Sequence, residues 1–305
     1  MLSYGKVWPT MITPFTDDNR IDYKALEALI EWYIDHRVDG LFAVCGSSEM
    51  FHLSLEERVA VARFIKEKAN GRVPVIASGH VSDPMDDQIE ELKRMADTGI
   101  DVLVLISNRL ARREESDDIW KKNAEYILKA IPHMPFGIYE CPYPYKRLIS
   151  PDLLKWCVET GRFFLMKDTS CDLELLSAKC KAVDGSGFKI YNANTATLAG
   201  SMEFGVAGYM GVMGNFHPDL YASLLSSAGS LDMKFKKLES FLSLASLIET
   251  QCYPISAKYY LQLEGLDISL NSRAQRLADF TPQMKLQVEY LYHLTNEYRR
   301  EYGLI

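Results

Sequence analysis

The sequence predicts a closed barrel of eight parallel strands, each followed by a helix, with a helical extension after it: a (β/α)8 TIM barrel. Short apolar runs bounded by turn residues alternate with amphipathic stretches eight times between residues 7 and 218. Such alternation builds a parallel sheet with right-handed crossovers. Eight units over this length suit closure, which typically takes about 250 residues. An open dinucleotide-binding sheet is disfavoured, because no Gly-rich phosphate loop follows the first strand. Gly185-Ser186-Gly187 lacks a third glycine and precedes a strand rather than a helix. After Pro218 only helical patterns follow, so the expected division is a barrel over residues 1–218 and an extension over 219–305.

Residues 7–13 read as the first strand, ending in Thr13-Pro14-Phe15-Thr16 and a polar turn. Asp22 then caps a helix to Arg37, with Leu26, Leu29, Ile30 and Tyr33 on one face. Strand two covers 41–44 and ends in Cys45-Gly46-Ser47-Ser48-Glu49. Ser54-Leu55-Glu56-Glu57 is a capping-box pattern opening a helix to Ala69. Strand three covers 73–78, and Asp83-Pro84 supplies a cap and a first-turn proline for a helix to Thr98. Strand four, 102–106, leads to a charged loop at 109–118 and a helix to Ala130. Strand five, 135–139, runs into Tyr139-Glu140-Cys141-Pro142-Tyr143-Pro144, and Ser150-Pro151 starts the next helix. Strand six is Phe163-Phe164-Leu165-Met166-Lys167-Asp168, whose unbroken apolar start marks a strand buried on both faces. A helix over 173–182, strand seven at 188–192, a short helix over 197–204 and strand eight at 208–212 complete the alternation. Thr281-Pro282 caps a long last helix.

Composition narrows the function. The chain has 305 residues, 48% hydrophobic and 25% charged, with a net charge of −7 and a pI near 5.5. That is an ordinary globular balance, and it lacks the basic face that a nucleic acid needs. No apolar run approaches a membrane span, and residues 1–10 show no charged start leading into a long apolar segment. The six cysteines, at 45, 141, 157, 171, 180 and 252, show no CxxC and no ligand spacing. They are expected as reduced thiols of a cytoplasmic protein, used as small apolar residues. His80, His133 and His217 have no paired ligand spacing, so no metal site is expected. No GxSxG elbow is present, which argues against a serine hydrolase.

Chemistry is expected at the carboxyl ends of the strands, which converge on one face of a barrel. There Lys167 follows four apolar residues and precedes polar turn formers. Apolar surroundings disfavour an ammonium and lower its pKa from about 10.4, leaving an amine that can attack a ketone and form a Schiff base. A lysine that snorkels to solvent or pairs with Asp168 explains the local sequence equally well. Counting alternate residues puts Lys167, Leu165 and Phe163 on one face of strand six, and Tyr139 with Gly137 on one face of strand five. Adjacent strands lie about 5 Å apart, so a Tyr139 phenol can exchange protons with a lysine-bound substrate. A rim tyrosine with its hydroxyl in water is the commoner use of such a residue. Gly46-Ser47-Ser48 offers hydroxyls and N–H groups to a substrate carboxylate, or serves as a polar turn; Glu49 is expected to brace it.

Taken together, these residues resemble the dihydrodipicolinate synthase / N-acetylneuraminate lyase family of Schiff-base-forming barrels. The likeness covers nearly the whole chain. It includes Thr13-Pro14-Phe15-Thr16 with Ile21-Asp22, Leu53-Ser54-Leu55-Glu56-Glu57-Arg58, Tyr139-x-x-Pro142, Lys167-Asp168 and Gly214-Asn215-Phe216-x-Pro218. The resemblance implies a class I aldolase needing no cofactor, in which Lys167 forms an imine with a 2-oxo acid, usually pyruvate, and Tyr139 shuttles protons. It also implies substrate contacts from Gly46, Ser47, Ser48 and Gly211, and a homodimer or homotetramer.

Departures from the family pattern bear on the second substrate. The family's Gly-Thr-Thr-Gly-Glu is here Cys45-Gly46-Ser47-Ser48-Glu49, so only Ser47 keeps a hydroxyl at a threonine position. The synthase's Tyr-Asn-x-Pro-x-Arg becomes Tyr139-Glu140-Cys141-Pro142-Tyr143-Pro144, without the arginine that holds the second substrate's carboxylate. Ser107 and Asn108 stand where the synthase has paired tyrosines, and Ala193 replaces the glycine after strand seven. These changes favour an aldolase or lyase that joins pyruvate, or a related 2-oxo acid, to an aldehyde less anionic than aspartate semialdehyde. Dihydrodipicolinate synthesis itself, a dehydratase of 2-oxo-3-deoxy sugar acids, and a non-catalytic 2-oxo acid binding barrel are the alternatives. The sequence leaves open whether Lys146 or Arg147 replaces the missing arginine.

Overall fold

A computed structural model describes residues 6–227 and 232–305. Its eight strands form one parallel sheet: β1 (Val7–Pro9), β2 (Leu41–Phe42), β3 (Val75–Ala77), β4 (Val102–Ile106), β5 (Phe136–Tyr139), β6 (Phe163–Asp168), β7 (Lys189–Asn192) and β8 (Gly208–Gly211). Neighbours in sequence pair from β2 to β8, and β8 pairs with β1. A parallel bridge from Thr10 to Phe42 closes the remaining seam, where the Met11 N–H donates to the Phe42 carbonyl at 3.0 Å. The barrel expected from the alternation is therefore present. β1 is shorter than its apolar run because the chain beyond Pro9 leaves β8 to make this seam.

Helix starts follow the capping chemistry in most places. Asp22 accepts the Ala25 N–H at 3.0 Å ahead of the helix Tyr23–Asp35, and Ser54 with Glu57 completes both halves of the capping box. Asp83 departs from expectation. Pro84 occupies the cap position of the helix Met85–Ala96, and the Asp83 carboxylate pairs with Arg109 instead.

β6 departs too, in a way that matters for the site. Phe136 lies opposite Phe163, but the next residue, Gly137, lies opposite Leu165. One extra residue, Phe164, is thus bulged out of β6 and left 38% exposed. Phe163 turns to the helix side, its ring 5.9 Å from that of Phe136 and 6.2 Å from that of Trp120. This corrects the expectation that Phe163 shares a face with Lys167 in a strand buried along its whole length. Strict alternation holds only from Leu165 onward. Gly137 is needed on the inner face: a Cβ there would lie 2.7 Å from a Leu165 methyl carbon.

Beyond β8 the helix Pro218–Ser226 stacks Tyr221 on Tyr209, with ring centroids 4.1 Å apart. The following chain returns across the strand ends, where the 3-10 turn Ser246–Thr250 and the start of the helix Ile255–Leu263 bring Glu249 and Tyr253 to the barrel mouth. Arg299 of the last helix, Pro282–Glu301, ties this layer down through Asp219 and Glu264, at 2.7 Å each. Among the described residues, no helix is long and apolar enough to cross a membrane.

Candidate active site

β5 and β6 pair in register so that Tyr139 stands opposite Lys167. Both line a cavity of about 380 Å³ at the carboxyl ends of the strands. Lys167 is only 5% exposed, and its ammonium lies 4.5 Å from the centroid of the Tyr139 ring. Among the described residues it makes no hydrogen bond and no ion pair. Burial lowers its pKa below the ordinary lysine value, opposed by Cys45, Cys141 and Glu249. A lysine held this way is easier to deprotonate than one in water.

Why Lys167 does not pair with its neighbour Asp168 follows from the strand period. Asp168 and Glu140 alternate onto the outer face, where the Lys179 ammonium, from the helix Leu173–Ala182, reaches a carboxylate oxygen of each at 2.6 Å. The remaining oxygens are also satisfied. Glu140 accepts the N–H groups of Ile149 at 2.8 Å and Thr169 at 2.9 Å, and Asp168 accepts that of Ser170 at 2.9 Å. This dry ionic clamp fixes the ends of β5 and β6, and with them the relative position of Tyr139 and Lys167. No local pattern in the sequence announces it, since it depends on a helix residue meeting two strands.

The loop after β2 behaves unevenly. Gly46 and Ser47 line the cavity; Ser48 does not. Its hydroxyl accepts the Cys45 N–H and donates to the Cys45 carbonyl, both at 2.8 Å, and so closes its own turn. The backbone N–H groups of Ser47 and Ser48 lie near enough to the buried Cys45 thiol to favour its ionised form, against the larger effect of burial. Ser47 Oγ donates to Thr10 Oγ1 at 2.9 Å and also contacts the Tyr253 hydroxyl. Gly46 leaves room for the Tyr139 hydroxyl, which would lie 3.1 Å from a Cβ at that position. Gly211 also lines the cavity, and a side chain there would collide with the Tyr209 hydroxyl. Glu49 braces the loop as expected, accepting the backbone N–H groups of Arg273 at 2.6 Å and Ala274 at 2.7 Å.

Burial pushes the Tyr139 hydroxyl well above the usual phenol range, with Cys141 and Cys45 adding to the shift. It is a proton donor rather than a resident phenolate. Burial likewise pushes up the Cys45 and Cys141 thiols, consistent with a packing role. His80 is held neutral, its pKa pushed down to about 4 by burial, and accepts the Ile106 N–H at 2.6 Å. Among the described residues, no group of three His, Cys, Asp or Glu is placed to hold a metal ion.

Of the two basic residues left open by the sequence, Lys146 lines the cavity and donates to the Thr169 carbonyl at 2.6 Å. Arg147 turns away, donating to the Glu115 carbonyl and to Asp117 at 3.0 Å each. Glu249 and Tyr253 are in the cavity without having been expected there. Neither sits at a strand end, and the period of a helical tail does not reveal which residue crosses a barrel mouth. A larger cavity of about 770 Å³ lies under the charged segment after β4, lined by Asp83, Arg109 and Glu115. Neither Lys167 nor Tyr139 lines it.

A (β/α)8 barrel with a desolvated amine at its mouth points to the aldolase-type lyases and synthases. The chain belongs to the dihydrodipicolinate synthetase family, whose sequence model matches residues 3–291. Similar proteins include the 4-hydroxy-tetrahydrodipicolinate synthase of Clostridium perfringens, 28% identical over 256 residues that cover 83% of this chain and 86% of that one. The Bacillus subtilis protein of the same name is 24% identical over 279 residues, covering 88% and 91%. In fold the chain is similar to dihydrodipicolinate synthase DapA-2 from Bacillus anthracis, with a TM-score of 0.86, 21% identity, and 96% and 99% of the two chains covered. CdNal from Clostridium difficile, solved with mannosamine, matches with a TM-score of 0.85, 18% identity and the same coverage. At these identities the two structures speak for the fold alone.

Proposed function

We propose that this chain is a Schiff-base aldolase that joins pyruvate, or a related 2-oxo acid, to an aldehyde, or cleaves the product. The observation that carries the reading is Lys167: buried, without an ion-pair partner among the described residues, and set over the Tyr139 ring at 4.5 Å. In this reading the Lys167 amine attacks the 2-oxo carbon, and the Tyr139 phenol gives a proton to the departing carbinolamine hydroxyl. The resulting iminium withdraws electrons from C3, so no further cofactor is required. The Ser47 hydroxyl, with that of Tyr253 beside it, receives the substrate carboxylate, while Gly46 and Gly211 supply space. Assembly as a homodimer or homotetramer and a cytoplasmic location belong to the same proposal and rest on the family resemblance.

Lys146 is the cation available to a second substrate. A lysine offers a point charge and not the two-pronged hold of an arginine, which favours a hydroxylated neutral aldehyde over aspartate semialdehyde. Incubation with pyruvate and a panel of aldehydes, with product analysis, tests this. A new carbon–carbon bond is the expected outcome. Loss of water from a 2-oxo-3-deoxy sugar acid without release of an aldehyde identifies a dehydratase instead. A preference for aspartate semialdehyde of tenfold or more, about 1.4 kcal/mol, restores the synthase. An imine without any product leaves a binding barrel.

A further inference from the structure

We infer that the Glu249 carboxylate is the base that takes the C3 proton from Lys167-bound pyruvate and later returns it, a role that rests on the aldolase reading above. Glu249 comes from outside the strand–helix repeat. The 3-10 turn Ser246–Thr250 carries it over the mouth, with Ile248 buried beside it and Leu247 turned outward. Its carboxyl lines the same cavity as Lys167 and Tyr139. Among the described residues nothing donates a hydrogen bond to it and nothing forms an ion pair with it. Its side chain is half-buried, and it faces the space that a substrate fills.

The other acid–base groups are unsuited to this step. Burial holds the hydroxyls of Tyr139 and Tyr253 and the thiols of Cys45 and Cys141 in their protonated forms. Each can give a proton but none is a standing base. Burial raises the Glu249 pKa to about 7, while the charge of Lys167 draws it back down. The hydroxyls of Tyr209, Tyr221 and Tyr253 also feel its charge, and Lys146 reaches the same cavity. A carboxyl poised near neutral pH can both accept and return one proton, as this step requires. In the iminium the C3–H bond breaks and its proton moves to a Glu249 oxygen. The electron pair forms the C2=C3 bond and neutralises the iminium nitrogen. The enamine then attacks the aldehyde; in the cleavage direction, Glu249 gives the proton back to C3.

The test needs pyruvate alone. In D₂O the wild-type protein should exchange the C3 hydrogens of pyruvate, followed by NMR, at a rate that rises with pH through about 7. Glu249→Gln should keep the borohydride-reducible adduct, which also shows that the site is intact. It should lose exchange by about 10²-fold or more, together with the pH rise, and Glu249→Asp should recover part of it. Exchange within about threefold of wild type in Glu249→Gln overturns the inference and leaves the aldolase reading standing. Loss of the adduct in both Glu249 variants makes the residue structural and overturns the inference as well. If wild type forms no adduct with pyruvate or any other 2-oxo acid, the aldolase reading falls and takes this inference with it.

Discussion

Lys167 and Lys179 are both buried, on opposite faces of the same strand wall, and their surroundings set them apart. Lys179 touches two carboxylates at 2.6 Å. Burial pulls its pKa down, but Glu140 and Asp168 outweigh that and hold it above the ordinary lysine value. Lys167 lies over the Tyr139 ring with no ion-pair partner among the described residues, and its pKa falls although Cys45, Cys141 and Glu249 oppose this. Burial alone therefore does not make a nucleophile. Where two carboxylates meet the buried amine its pKa rises, and where none pairs with it its pKa falls. Lys258 shows that one anion does not always suffice: with a carboxylate, Glu49, at 3.5 Å, burial still takes it down to about 8.

The contrast can be broken from either side. The largest effect is expected for Lys167→Ala, which should lower turnover by more than about 10⁴-fold, read from initial rates. The stability effects should run the other way. Lys179→Met strands two buried carboxylates and should cost about 3–5 kcal/mol in urea unfolding. Lys167→Met should leave stability at pH 7 unchanged or higher. The folded-state pKa of Lys167 is depressed, so its contribution is favourable only above the unfolded value and is lost as pH falls. Equal destabilisation by both variants would erase the distinction.

Tyr139→Phe should lower kcat by about 10²–10⁴-fold with little change in unfolding midpoint, because only a hydroxyl is removed. Glu249 sharpens the comparison through pH. Its folded pKa, about 7, lies above the ordinary carboxyl value of 4.5, so its neutral form is favoured in the fold. Stability is then full below the unfolded pKa and falls as pH rises through 7. Glu249→Gln should match wild type at pH 5 and exceed it at pH 9 by at most roughly 3 kcal/mol. Smallest of all, Lys146→Met should change KM for a neutral hydroxyaldehyde by no more than about threefold.

The barrel and the placing of Lys167 and Tyr139 side by side were legible because strand periodicity and strand-end position are local properties. Lys167 ends an apolar run and Tyr139 precedes a proline-rich turn, so both declare themselves in sequence. Phe163 was misplaced because a single bulged residue inverts every inference upstream of it. Ser48 was assigned to substrate on its residue type, yet its hydroxyl closes its own turn. Lys179, Glu249 and Tyr253 were missed for one reason. Each depends on a long-range meeting of elements that no single-chain period encodes. The seam at Asn215 shows the same thing: its amide reaches the Thr10 carbonyl at 2.9 Å and the Tyr253 hydroxyl at 3.0 Å.

The most direct test of the account is to trap the imine and map it. Wild-type protein incubated with pyruvate, reduced with borohydride and digested should show the added mass on the peptide carrying Lys167. The peptides carrying Lys179 and Lys258 should be unmodified. Labelling at Lys179 or Lys258, or labelling that persists in Lys167→Ala, would contradict the claim that the unpaired lysine is the nucleophile.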